Sequence, residues 1–408
     1  MKQTKRRVLL VGKFSSDEMV YTYPTSFIGA FEKNGCDVVM FNVKDGSPVL
    51  ARDDREESID KRENPSSLPF RIKKYISKIL YSDTPLPSPV IPGQDPGSIL
   101  SSYLSKIVPQ FLKTYLLNRR LINTVRRHKP DILFMIKGSM ITAAALKKIK
   151  QLSPHTHIFH FYPDNPFCFW NGNSNKNVLK ALLYIDTFLI WSKQLIPVLK
   201  AVGCRRVEYF PFAVDETVYY KIDPRSESGM TREDAWIASD TVFVGTWDTE
   251  REQMLERVVQ ALPQLNLAIW GNRWEEHLSS SSLLRKHLRG TAIYKDTLLK
   301  TFTNSKIVLN FIRLQNMQAH NMRTFEALAA GSFLLTQKTD EQSLPPFIPD
   351  YNIACFSDTE DLIKKIAFYV NQDSLRKEVA LRGYELAHGF TLHARVRTLL
   401  DTYSHEGM

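Results

Sequence analysis

A chain of 408 residues, 43% apolar and 24% charged, is too long for one ordinary core and too apolar for a disordered chain, so two globular domains of roughly 150–200 residues are expected. Its 54 Lys and Arg against 43 Asp and Glu give a net charge of +11, which favours polyanions, anionic lipid or phosphorylated substrates without choosing among them. Cys36, Cys168, Cys204 and Cys355 form no C-x-x-C pair, which argues against a disulfide framework and a zinc cluster and leaves buried free thiols as the expectation.

The first apolar run, Val8-Leu9-Leu10-Val11, stops at Gly12-Lys13. It is too short for a signal-peptide core or a membrane span, so a cytoplasmic protein is expected. The run reads as a buried strand, the segment to Asn34-Gly35 as a helix with a Gly stop, and Asp37-Val38-Val39-Met40-Phe41 as a second strand. Residues 46–69 are polar and charge-rich, and 82–98 hold five prolines and two glycines, so both read as surface excursions. Helices are expected over 71–81 and about 99–128. The second carries Lys113, Arg119, Arg120, Arg126 and Arg127 among leucines and tyrosines, a composition that suits docking on anionic membrane lipid and a buried core helix equally well.

A regular alternation follows: strand 131–136, helix 141–151, strand 157–162, helix 176–184, strand 187–191, helix 193–202 and strand 207–211. An irregular passage over 213–240 reads as a linker. A second series begins at Thr241-Val242-Phe243-Val244-Gly245 and continues with helix 250–262, strand 266–270, helix 275–288, strand 306–312, helix 319–330 and strand 333–336. It ends in helices near 359–371, 373–387 and 392–403. Such alternation implies parallel sheets covered on both faces, hence an α/β protein of two doubly wound, Rossmann-like domains, 1–212 and 241–390, with a C-terminal helix beyond 391.

In such sheets ligands bind beyond the carboxyl ends of the strands, which confines the search to βα loops. The richest is the passage into His320-Asn321-Met322-Arg323-Thr324-Phe325-Glu326. Met322, Phe325 and Ala329 follow helical spacing, which leaves Arg323 and Glu326 together on a neighbouring face. A cation and a carboxylate at a helix start suit a nucleoside diphosphate, with Arg323 and the helix N-terminus offsetting phosphate charge and Glu326 accepting from a ribose diol. An exposed ion pair is the competing reading. Arg251, after Gly245-Thr246-Trp247-Asp248, and Arg273, after Trp270-Gly271-Asn272, are candidates for the diphosphate, or ordinary surface arginines. Asp164, just past strand 157–162, is a candidate to orient an acceptor hydroxyl or act as base, against a turn-capping role before Pro166.

The pattern Asn321-x-Arg323-x-Phe325-Glu326-Ala327-Leu328-Ala329-x-Gly331 followed by Phe333-Leu334-Leu335-Thr336 resembles the donor-site signature of the CgeB-like (spore maturation protein) branch of group 1 glycosyltransferases. Tyr162-Pro163-Asp164-Asn165-Pro166, Phe210-Pro211-Phe212-Ala213-Val214-Asp215, Phe243-Val244-Gly245-Thr246, and Gly383 with Thr391 and Arg395 agree with it. The resemblance implies a GT-B fold that holds a nucleotide-sugar donor mainly in the C-terminal domain and transfers the sugar to a glycan, lipid or protein hydroxyl, with no cofactor. It places Glu326 on the ribose and Asn321 and Arg323 by the diphosphate or donor sugar, with Arg323 and Asp164 as candidate catalytic groups. Many retaining relatives carry a Glu eight residues before the one equivalent to Glu326. Here Gln318 stands there, which keeps open a non-catalytic sugar-nucleotide or glycan-binding protein.

His155, His157 and His160 do not make a metal set, because 157 and 160 point to opposite faces of a strand. The chain has no D-x-D, so a metal-clamped donor is not expected, and no histidine before His128 supplies an early base. The absence of G-x-x-x-x-G-K-[ST] and G-x-G-x-x-G argues against an ATPase and a dinucleotide dehydrogenase, and no nucleic-acid module is recognisable.

Overall fold

In the computed structural model, residues 5–14, 23–44, 46, 48–50, 109–169, 174–220 and 238–406 are described. Short apolar runs form strands that are buried on both faces, as parallel sheets require. The first lobe orders its strands β3-β2-β1-β4-β5-β6-β7: β1 (Arg7–Gly12), β2 (Asp37–Asn42), β3 (Pro48–Leu50), β4 (Ile132–Ile136), β5 (His157–Phe161), β6 (Thr187–Ile190) and β7 (Val207–Tyr209). Only β3 runs antiparallel, pairing Pro48 with Phe41 at the sheet edge, where a residue without an N–H is tolerated. The second lobe orders its strands β10-β9-β8-β11-β12-β13, all parallel: β8 (Ser239–Val244), β9 (Leu267–Trp270), β10 (Leu288–Gly290), β11 (Ser305–Asn310), β12 (Leu334–Gln337) and β13 (Ala354–Phe356).

Helices α1 (Tyr23–Lys33), α2 (Gln110–His128), α3 (Ala143–Leu152), α4 (Lys176–Ala181) and α5 (Leu195–Ala201) belong to the first lobe. The second lobe carries α6 (Thr249–Ala261), α7 (Trp274–His277), α8 (Lys295–Thr303), α9 (Met322–Ala329), α10 (Thr359–Tyr369) and α11 (Asp373–Ala387). The last helix, α12 (Leu392–Glu406), returns to the first lobe and lies along α1. Asn34 donates to the His393 carbonyl (3.1 Å), Arg6 donates to the Leu400 carbonyl (3.3 Å), and Tyr403 meets the His157 ring edge-on. Connector and return helix touch where they cross between lobes: the Val214 N–H donates to the Phe390 carbonyl and the Leu392 N–H to the Val214 carbonyl.

Several expectations are corrected here. The helix expected over 275–288 is broken into α7 and a 3-10 turn at Leu283–His287. The run Ser279-Ser280-Ser281-Ser282 separates them, and serines favour caps and turns: the Ser282 hydroxyl accepts from the Leu284 N–H and the Ser279 carbonyl from Arg285. Strand 306–312 ends at Asn310, although Phe311 and Ile312 beyond it are buried and so read as strand. β3 lies inside the 46–69 stretch read as a surface excursion, and α8, β10 and β13 were not anticipated. α2 begins at Gln110 and buries Leu112, Leu117, Leu121 and Val125. The earlier part of that expected helix, the helix at 71–81 and the proline-rich 82–98 lie outside the described residues.

The four cysteines are buried free thiols. Among the described residues no helix is long and apolar enough to cross a membrane.

Because Leu392, Val396, Leu399 and Leu400 are buried, α12 completes the first lobe's core. Leu392→Ala is expected to destabilise the protein by about 2–5 kcal/mol, the range for deleting a buried leucine side chain. Urea unfolding checks this; an unchanged midpoint would show that α12 is not part of that core.

Candidate active site between the lobes

Each sheet reverses its strand order once, between β1 and β4 in the first lobe and between β8 and β11 in the second, and the crevice at such a point is where open α/β sheets bind ligands. The carboxyl edges of the two sheets face each other. Asn165, after β5, reaches the Gln315 carbonyl after β11 (3.4 Å), and the Tyr209 hydroxyl at the end of β7 donates to Glu341 after β12 (2.9 Å).

In the second lobe the start of α9 is pinned by a buried amide network. The Asn310 side-chain amide donates to the Asn321 side-chain oxygen (3.1 Å), the Thr324 hydroxyl (3.2 Å) and the Thr336 hydroxyl (3.0 Å), and its oxygen accepts from Asn321 (2.9 Å). Asn321 also caps α9 by accepting from the Thr324 N–H (3.3 Å). Its side chain is therefore engaged within the protein and sets the helix rather than reaching outward.

Two residues further on, Arg323 donates to Glu326 (2.5 Å) and its guanidinium lies 5.0 Å from the centre of the Phe302 ring. Glu326 is 5% exposed, so the pair is not the ordinary solvated ion pair that was its rival reading. The second carboxylate oxygen accepts from the Tyr219 hydroxyl (2.9 Å).

Gly245 and Thr246 follow β8. Gly271 after β9 holds φ at +151°, and a Cβ there would stand 2.0 Å from the Gly245 carbonyl oxygen, so the two loops meet backbone to backbone. Trp274 donates its indole N–H to that same carbonyl (2.8 Å). Arg251, on α6, donates to the Thr246 carbonyl (2.9 Å) and the Phe311 carbonyl (3.4 Å), the latter shared with Asn321. The starts of α6 and α9 thus converge on one peptide at the end of β11. Arg251 is half-buried, and its Nε, which is buried, has no hydrogen-bond partner among the described residues. Burial, and then the charge of Arg313, push its pKa down to about 9, with Arg323 acting in the same direction and Asp248 against it. Arg313 forms an ion pair with Asp248 through its Nε (3.7 Å), which is too long for a hydrogen bond. Arg251, Arg313 and Arg323 form a crowded cationic cluster.

The other candidates lie elsewhere. Arg273 sits half-exposed beside His277 (2.6 Å), over a Trp247 ring that stacks on His277, and among the described residues no hydrogen bond or ion pair joins it to the cluster. Gln318 is exposed and its side-chain oxygen accepts from the Asp340 N–H (3.3 Å). In the first lobe Asp164 pairs with Lys137 (2.7 Å), which follows β4 in a left-handed backbone conformation with φ at 63°. Buried His160 donates from Nε2 to the Lys137 carbonyl (2.9 Å) and holds that turn.

Sequence reasoning missed Lys137, Arg313 and Tyr219. Lys137-Gly138 follows the strand Ile132–Ile136 at the reversal point, and Arg313 follows β11, so position in the topology was the available signal. Tyr219, on the connector, gave none. Among the described residues no group of three or more His, Cys, Asp or Glu is placed to hold a metal ion.

Two Rossmann-like lobes with facing carboxyl edges define the GT-B fold, and this chain has it. Residues 250–401 match the family described as glycosyl transferase-like. No curated protein sequence matches the chain. Among solved structures, Anabaena HepE in complex with UDP-glucose superposes with a TM-score of 0.60 at 13% identity, covering 98% of this chain and 99% of that one. The N-terminal domain of Candida albicans trehalose-6-phosphate phosphatase gives 0.60 at 12% identity over 99% and 98%. S. aureus TarM gives 0.51 at 11% identity over 70% and 58%. At these identities the likeness is one of fold.

Buried His160 and His320 make the protein acid-sensitive. Desolvation lowers the His160 pKa to about 4 and the His320 pKa to about 3. With folded values below the unfolded one, the unfolded chain binds protons first, so this stability is complete above about pH 6.5 and is lost as pH falls toward the folded values. Each histidine should cost about 2 kcal/mol at pH 5 relative to pH 7.5. Urea midpoints at the two pH values test this, and His320→Gln should remove about half of the difference, leaving the share of His160.

Proposed function

We propose that the protein is a glycosyltransferase that moves a sugar from a nucleoside-diphosphate donor to a hydroxyl of a glycan, lipid or protein acceptor. The observation that carries this reading is the half-buried Arg251, whose buried Nε has no hydrogen-bond partner among the described residues and sits within the field of Arg313 and Arg323 at the reversal point of the second sheet. A partly desolvated cation crowded by two others is stabilised when an anion enters, and a diphosphate carries charge enough for the cluster. The family match over 250–401 and the UDP-glucose held by the HepE fold support the choice of a sugar nucleotide. The motif around Asn321 to Gly331 supports the finer placement in the CgeB-like branch.

In this reading the bond from the anomeric carbon to the β-phosphate oxygen breaks, the acceptor oxygen bonds to that carbon and passes its proton to the Asp164 carboxylate, and the diphosphate leaves with the electron pair of the broken bond. Arg251, Arg313 and Arg323 offset the charge that develops on the leaving group, and they do so without a resident metal. Glu326 accepts from the ribose. Asp164, held by Lys137 on the facing edge, orients the acceptor hydroxyl. Peripheral contact with anionic membrane would bring a lipid acceptor to that edge, with nucleic acid not a partner.

A second reading, sugar-nucleotide binding without transfer, is favoured by Gln318, which stands where a carboxylate would meet the donor sugar and instead accepts from the Asp340 amide. Release of free or transferred sugar from a nucleotide-sugar panel separates the two. Arg251→Met is expected to weaken nucleoside-diphosphate binding by about 1.5–3 kcal/mol, the worth of hydrogen bonds to a charged group, while affinity for the uncharged nucleoside is kept. Calorimetric titration checks this. Equal loss for nucleoside and diphosphate would place the effect in the fold and remove the anion site.

A further inference from the structure

Glu326 is held from two sides, and one of the holding groups comes from outside its own lobe. Its Oε2 accepts from Arg323 on the same helix and its Oε1 from the hydroxyl of Tyr219, which belongs to the connector between lobes. A carboxylate offers about four lone-pair sites, so one remains on each oxygen. Two adjacent acceptors in a fixed plane match the two hydroxyls of a cis-diol.

Tyr219 is itself firmly placed. Its ring is 3% exposed, and its N–H donates to the Asp215 carbonyl (2.9 Å) in a turn whose Asp215 side chain accepts from the Thr217 N–H (2.9 Å) and hydroxyl (2.6 Å). The turn starts at Val214, which is hydrogen-bonded on both sides to the returning chain at Phe390 and Leu392. The hydroxyl position is thus fixed by the crossing point of the two lobes.

Resting on the reading of Glu326 as the ribose acceptor, we infer that Tyr219 is a positioning residue for donor recognition, fixing the Glu326 carboxylate so that it distinguishes a ribose from a deoxyribose. Without the hydroxyl the carboxylate turns about its last bond, and the paired acceptors lose their common orientation. The connector thereby ties the relative setting of the lobes to the selectivity of the donor site.

The test is calorimetric titration of the full-length protein, Tyr219→Phe and Glu326→Gln with UDP, GDP and ADP and with their 2′-deoxy counterparts. For the diphosphate that binds best, the unsubstituted protein should prefer the ribo form by about tenfold or more, Glu326→Gln should abolish the preference, and Tyr219→Phe should cut it to about twofold. A tyrosine that merely packs would lower the thermal midpoint and leave the ratio unchanged. If Glu326→Gln abolishes the preference but Tyr219→Phe keeps it whole, the role of Tyr219 is overturned and that of Glu326 stands. If the unsubstituted protein shows no preference, or Glu326→Gln retains it, the ribose reading fails and the inference with it. Should Tyr219→Phe not fold, Asp215→Ala, which removes the side-chain hydrogen bonds that hold the turn and so lets the Tyr219 hydroxyl shift from its fixed position, is expected to reduce the ratio in the same direction, and an unreduced ratio there would equally overturn the inference.

Discussion

The buried side-chain amide of Asn310 fixes the start of α9, on which the candidate site is built. It ends β11, and its hydrogen bonds reach the cap of α9, the first turn of that helix and the neighbouring strand β12. A buried amide in such a place is stabilising only when its donors and acceptor are satisfied, and these partners satisfy them. Gln342 extends the network by accepting from the Thr324 hydroxyl (2.7 Å) and donating to the Gln337 carbonyl (3.0 Å). Arg323 and Glu326 inherit their positions from it. The next peptide, Phe311, supplies the carbonyl at which Arg251 and Asn321 meet. Helix starts, cationic cluster and acidic acceptor are therefore consequences of how one strand ends.

The two lobes repeat one solution with opposite chemistry. Each has a reversal point, and each places a basic residue there: Lys137 in the first lobe, Arg251 in the second. In the first lobe the charge is compensated by Asp164, leaving a neutral, directional pair suited to a hydroxyl. In the second lobe Glu326 answers Arg323 and Asp248 answers Arg313, while the buried Nε of Arg251 has no hydrogen-bond partner among the described residues. The lobes are joined by a polar contact at one side, where Tyr209 donates to Glu341 and accepts from His320 (3.2 Å), and where the Lys193 N–H donates to the same carboxylate (2.8 Å). Burial raises the Glu341 pKa and lowers that of His320, so both partners resist the charges they would carry in water.

The fold was largely legible because parallel strands announce themselves as apolar runs. β1, β4, β8 and β11 each have such a run, and the helices that directly follow β4, β8 and β11 fall close to the expected places. Elements without that signal were missed: β10 and β13 have three residues each, and α8 begins at Lys295 without a side-chain cap. Phe311 and Ile312 show the opposite failure, since burial beneath a loop looks like burial in a strand. In the site, Arg323 and Glu326 were legible from helical spacing and Arg251 from its place after a strand. The capping role of Asn321 and the contact of Arg251 with the Phe311 carbonyl were not, because both depend on Asn310 and Phe311, which approach them only through the sheet. The Tyr219 contact joins residues 107 apart, and nothing local marks it.

The central claim is that the starts of α6 and α9 form one anion site at the end of β11. The most direct measurement is a crystal structure of the protein with the nucleoside diphosphate that binds best. The account predicts the diphosphate against the guanidinium groups of Arg251 and Arg323, with the ribose hydroxyls on Glu326. A diphosphate bound elsewhere, with Arg323 still engaged by Glu326 alone and the Arg251 Nε still without a partner, would contradict it.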